Sequence, residues 1–64
     1  MTQRKNYTLL VSKDGKYWYI RSPELNMSTQ AKRLKDVEHM GRDMIATVLD
    51  IEPSVFDVTI QHQP

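Results

Sequence analysis

Two short runs in which apolar and polar residues alternate, Tyr7 to Lys13 (YTLLVSK) and Lys16 to Ser22 (KYWYIRS), flank the dipeptide Asp14-Gly15. That arrangement leaves the first third of the chain little choice but an antiparallel hairpin. Alternation puts every second side chain on one face of a strand, and Asp-Gly tolerates the positive φ that a two-residue type I′ turn requires. On the first strand Tyr7, Leu9 and Val11 share one face, and Thr8, Leu10 and Ser12 the other. On the second strand Trp18 and Ile20 oppose Tyr17, Tyr19 and Arg21. Trp18, with the largest apolar surface, is the expected centre of the core.

Pro23 lacks an N–H and stops regular pairing, so residues 23 to 26 read as the connection to a short third strand, Met27 to Ala31. From Leu34 the apolar period becomes helical: Leu34, Val37, Met40, Gly41, Met44, Ile45, Val48 and Leu49 recur at spacings of three and four, one stripe running to Asp50. Glu38, His39, Arg42 and Asp43 fall on the opposite, wet side, with Glu38 and Arg42 set as an i,i+4 ion pair. The helix start is poorly signalled. Arg33 occupies the position where Ser, Thr or Asp would cap, and Lys32, Arg33 and Lys35 oppose the macrodipole. Glu52-Pro53 ends the helix, and Ser54 to Gln61 alternates again, with Phe56, Val58 and Ile60 inward and Val55, Asp57 and Thr59 outward. The pattern predicts one α+β domain over residues 1–64, ordered β-β-β-α-β, with an antiparallel-rich sheet and one helix packed on one face. Residues 1–5 and 61–64 are expected to be flexible ends.

A core drawn from 64 residues supplies only about 3–5 kcal/mol, and with no cysteine the chain has neither a disulfide nor a thiolate metal site to add to it. Cysteine-free composition suits a reducing compartment, the cytoplasm, and the missing stability is expected to come from association, as a homodimer or larger homo-oligomer. No apolar run approaches the length of a membrane span, and Met1 to Lys5 is too short and polar for a signal peptide.

Catalysis finds little to stand on. Neither His39 nor His62 neighbours a serine elbow, the two histidines lack a third ligand at a metal-binding spacing, and Asp36, Glu38 and Asp43 step around a wet helix face instead of converging. Asp14-Gly15 precedes a strand, whereas a phosphate-cradling loop opens a helix. Met40 and Met44 lie on the helical stripe and read as core filling. No enzyme activity, cofactor or metal is expected. What remains is surface. A single helix covers one sheet face and leaves Thr8, Leu10, Tyr17, Tyr19 and Val55 on the other, an apolar set suited to self-association or a protein partner. An uncovered edge strand offers backbone pairing as a second route. Charge is also segregated: residues 1–35 hold eight bases and two acids, net +6, and residues 36–64 hold one base and six acids, net −5.

The run YTLLVSKDGKYWYIRSPEL, the segment MSTQA and the helix RLKDVEHMGRDMIATVLD together resemble the N-terminal domain of HicB-type antitoxins, over roughly residues 7 to 60. The elements that carry the resemblance are Tyr7, the turn at Asp14-Gly15, Pro23-Glu24-Leu25 after the second strand, and Thr29-Gln30-Ala31 before the helix. It implies a β-β-β-α-β, partial ribonuclease H-like fold without catalytic carboxylates. It also implies an antitoxin that neutralises a HicA-like toxin, a small basic ribonuclease cleaving messenger RNA, by occluding its active site. The C-terminal DNA-binding domain that typical members carry is not expected in these residues. Residues proposed to face the toxin are Tyr17, Tyr19 and Leu10, with Glu38, Asp43, Asp50 and Asp57 mimicking RNA charge. Two rival readings stand beside it. One is a nucleic-acid module with Arg4, Lys5, Lys32, Arg33 and Lys35 on phosphates and tyrosines stacking on bases. The other is a homo-oligomeric structural domain with no toxin partner.

Overall fold

A computed structural model describes residues 5–63, and in it the hairpin forms as the alternation dictates. Strand β1 (Asn6–Asp14) pairs antiparallel with β2 (Tyr17–Ser22), and β2 with β3 (Met27–Ala31); a 3₁₀ turn (Leu34–Asp36) leads into helix α1 (Val37–Leu49), which delivers the chain to β4 (Asp57–His62). The hairpin turn sits one residue later than expected. Asp14 pairs with Tyr17, so Gly15 and Lys16 are its central residues. Gly15 has φ 62° and Lys16 is not in the positive-φ region. Positive φ at the first central position alone is the type II′ pattern, in place of the expected type I′.

The sheet order is β3-β2-β1-β4, with β4 parallel to β1. A parallel neighbour needs a long crossover, and α1 with its flanking loops provides it. The sheet is therefore mixed, with β1 and β2 inside and β3 and β4 at the edges. Beyond the last β1–β2 pair, Pro23 removes the next backbone partner. The Thr8 N–H donates instead to both oxygens of the Glu24 carboxylate, at 3.1 and 3.3 Å. Asn26, with φ 53°, closes this connection in the left-handed region that Asn tolerates.

The core lies between the sheet and α1, which packs mainly across β3 and β2. Leu9, Val11 and Ile20 from the sheet meet Val37 and Ile45 from the helix, and Phe56 packs edge-on against Tyr7, ring centroids 5.6 Å apart. Fully burying a side chain of this size contributes about 1.5–3 kcal/mol. Gly41 is the point of closest approach: a Cβ there would collide with Leu9 Cδ1 and lie 3.3 Å from Cδ2. Only hydrogen at this position lets the helix sit so low on β1.

Several expectations are corrected. Trp18 is not the core centre; it is half-buried near the hairpin end of the sheet, with the Lys13 ammonium 4.7 Å above its ring and the His62 ring edge-on at 6.2 Å. Leu34 and Val48 belong to the helical stripe by spacing but are 51% and 43% exposed. The cause differs at the two positions. The first turn is wound as 3₁₀, which rotates Leu34 off the α-helical face, and Val48 lies in the last turn of the helix, past Ala46, the last buried residue. The final strand begins at Asp57, not Ser54, because residues 50–56 form a loop; Val55 is thus in that loop, half-exposed, and not on the sheet. The C-terminal end is not frayed through residue 63: Gln61 and His62 pair in β4, and the Gln63 N–H donates to the Val11 carbonyl at 2.7 Å. Lys5, also placed in a flexible end, accepts from the Asp57 N–H at 2.9 Å through its carbonyl. The expectations for residues 1–4, Arg4 included, and for Pro64 lie outside the described residues.

The loop before β4 is held from the helix. Arg42 Nη1 donates to the carbonyls of Pro53 and Phe56, both at 2.9 Å, while Nε donates to Glu38 Oε2 at 3.1 Å. The i,i+4 pair thus aims a guanidinium, whose fork of donors matches two carbonyls, at the strap linking α1 to β4. The helix itself ends on Asp50 (φ 56°, ψ 50°), with the Ile51 N–H returning to the Ala46 carbonyl at 3.0 Å, a left-handed cap that usually selects Gly.

Candidate interaction surfaces

Topology turns the charge asymmetry of the sequence into a spatial one. Strand β1 ends where β2 begins, and β3, running parallel to β1, ends beside them. The hairpin tip therefore lies next to the β3–α1 junction, and the exposed residues Lys13, Lys16, Lys32, Arg33 and Lys35 gather at one end, with only Asp14 and Asp36 among them. None of the five cations has an ion-pair partner among the described residues. Helix α1 starts at this end and runs back, so Asp50, Glu52 and Asp57 collect at the other end with Lys5. The helix macrodipole points the same way, positive toward the lysines and negative toward the aspartates. Arg33, at the N-cap of the 3₁₀ turn, and Asp36, at that of α1, make no side-chain capping bond.

At the cationic end a notch of about 350 Å³ is lined by Tyr17, Gln30, Ala31, Lys32, Asp36 and Met40. Its lining is mostly apolar, and Tyr17, Gln30, Lys32 and Asp36 bring to it a phenol, an amide, an ammonium and a carboxylate. A second depression of about 350 Å³ opens on the uncovered sheet face, between Leu10, Ser12, Tyr19, Arg21 and Gln63.

The uncovered face is less apolar than the alternation suggested. Register puts Leu10, Tyr17 and Tyr19 on it, together with Thr8, Ser12, Arg21, Gln30 and Thr59. Asn6 and Thr59 clasp β1 to β4 across this face, the Asn6 amide donating to Thr59 Oγ1 at 2.8 Å. Polar neighbours thus wet all but a small patch around Leu10 and Tyr19, both half-buried.

The residues expected to face a partner do not form one surface. Leu10, Tyr19 and Asp57 lie on the open sheet face; Tyr17 shares that face but lines the terminal notch; Glu38 and Asp43 project from the helix on the opposite side, where Glu38 is engaged by Arg42; Asp50 caps the helix at the far end. Lys32, Arg33 and Lys35 do come together, and Lys13 and Lys16 join them. Sequence reasoning missed that convergence, and the signal was available: a hairpin followed by a third strand brings the first turn and the third strand's end to the same edge. It also missed that Glu24 and Arg42, the latter paired with Glu38 as its spacing predicts, have side chains that satisfy backbone groups lacking secondary-structure partners.

His39 and His62 are both exposed and stand on different elements. Among the described residues no three His, Cys, Asp or Glu side chains converge as a metal site. None of the helices in this part of the chain is long and apolar enough to cross a membrane. No family model, curated protein or solved structure matches the chain.

Proposed function

We propose that the chain is a non-catalytic, antitoxin-like binding domain that neutralises a small, basic, RNA-cleaving toxin of the HicA kind by occlusion. The element order β-β-β-α-β is the one the HicB resemblance implies, and it supports this reading. The observation that carries it is the uncovered side of the sheet. There Leu10 and Tyr19 border a depression able to take one apolar anchor from a partner, ringed by groups that can hydrogen-bond. A central anchor with a polar rim is the arrangement that concentrates binding energy in protein interfaces. Asp57 at the edge of this face, with Asp50 and Glu52 beyond it, adds negative charge on the side a basic partner would approach. Glu38 and Asp43 are on the reverse side and act at most through the long-range field.

Co-expression with the product of a small basic reading frame of the HicA kind tests the proposal. That product should arrest growth alone and lose its toxicity beside this chain. Leu10→Asp should abolish the rescue, while Asp43→Asn should leave it intact. Toxicity that persists in the presence of the soluble wild-type chain ends the reading.

A further inference from the structure

We infer that the cationic end of the domain binds single-stranded nucleic acid, seating one base in the notch beside Tyr17 and the adjoining phosphates on Lys16, Lys32, Arg33 and Lys35. This surface is separate from the Leu10–Tyr19 patch and does not depend on a toxin partner.

Charge and shape point the same way. Five exposed cations from two chain segments meet at one end against two acids, without ion-pair partners among the described residues. The start of a 13-residue helix adds its partial positive charge to them. Like charges packed this closely repel, and an arriving polyanion relieves the repulsion while releasing its own counterions. A cationic surface alone would suit any polyanion. The notch narrows the choice, because Ala31 and Met40 make its lining largely apolar and Tyr17, 40% exposed, adds an aromatic residue to the same lining as Lys32. Aromatic platforms flanked by cations are how proteins hold unpaired strands. Gln30 can both donate to and accept from a base edge, and Asp36 can accept from an exocyclic amine. A duplex keeps its bases stacked and paired, so it cannot offer a base to such a recess.

Fluorescence anisotropy with labelled oligo(U) and oligo(dT) of about ten nucleotides, within the span of about 4–16 that such sites occupy, tests this directly. Both probes should bind in low salt. The affinity should fall between about 50 and 200 mM salt with a log–log slope of about −2 to −3, as for three or four phosphates at about 0.7 each. Oligo(U) binding tighter than oligo(dT) would assign the site to RNA, equal binding to either strand type. Tyr17→Ala should weaken binding by about 5- to 100-fold without altering that slope, and Tyr17→Phe should restore it, since stacking needs the ring and not the hydroxyl. Lys32→Gln should make the slope shallower by about 0.7. Leu10→Asp, on the separate patch, should change neither. No anisotropy change in low-salt buffer overturns the inference. So does a duplex that outcompetes the single strand, or affinity for inorganic polyphosphate equal to that for oligo(U) with no response to Tyr17→Ala.

Discussion

Replacing Gly41 by alanine sets two effects of comparable size against each other, and the structure says which wins. Gly41 lies within α1, where alanine is favoured over glycine by about 1 kcal/mol. Propensity alone therefore predicts a more stable protein. The added methyl, however, would overlap Leu9 Cδ1 and press on Cδ2 at 3.3 Å. Leu9 is 0% exposed, with Val11, Ile20 and Ile45 also fully buried in the same core, so its branch has no vacant volume to swing into. Overpacking of this kind costs about 1–3 kcal/mol. The net expectation is a loss of about 1 kcal/mol, which at a urea m-value of about 1 kcal/mol/M for a small domain lowers the midpoint by about 1 M. Trp18 is the only tryptophan and provides the fluorescence signal. A coupling test isolates the contact: Leu9→Ala, costing about 2–5 kcal/mol alone, should make room for the methyl. The double variant should then lose less than the sum of the singles by about 0.5–3 kcal/mol. A Gly41→Ala protein more stable than wild type, or strictly additive losses, would refute the claim that the helix is seated on Leu9.

Three other substitutions have directions set by single atoms. Ser22 is fully buried and its Oγ has no hydrogen-bond partner among the described residues, so Ser22→Ala should be neutral or stabilising by up to about 1 kcal/mol in the same urea titration. Arg42→Met keeps the aliphatic stem but removes the donors to Pro53 and Phe56; it should cost about 1.5–3 kcal/mol and speed amide exchange in residues 51–56 before the strands open. Asp50→Gly should raise stability by about 1 kcal/mol, since it relieves a left-handed backbone and removes a carboxylate from the negative end of the helix; the gain should shrink as salt is added.

The strands were legible because period-two alternation and a Gly turn leave few alternatives, and β3 falls at the bounds read from the sequence, Met27–Ala31. The helix was legible from its stripe. The hairpin type was not, since Asp-Gly and Gly-Lys turns differ by one residue in register and only the Asp14–Tyr17 pairing decides between them. Trp18 misled because size was taken as depth, whereas its strand position puts it one pair from the turn, where the sheet runs out. Val55 misled for a related reason: alternation carries on through residues 54–56, but Arg42 holds the backbone there away from the sheet. The candidate surfaces depended on strand order, which no local pattern states. Once β1 is inside and β4 parallel to it, Lys13, Lys16, Lys32, Arg33 and Lys35 fall at one end and Asp50, Glu52 and Asp57 at the other.

The place of β1 between an early and a late neighbour also shapes how the domain comes into being. Its β2 side is zipped by residues a short distance along the chain, but its other side waits for Asp57–His62, some 51 positions on from Asn6. A growing chain emerging from a ribosome can assemble the hairpin and β3 at once. Until β4 arrives, Tyr7 to Val11 keep a row of unsatisfied backbone donors and acceptors along an apolar strand, the template on which intermolecular cross-strand pairing starts. Misassembly should therefore be decided during that interval, and slowing synthesis between α1 and β4 should lower the yield of soluble protein more than slowing it anywhere earlier.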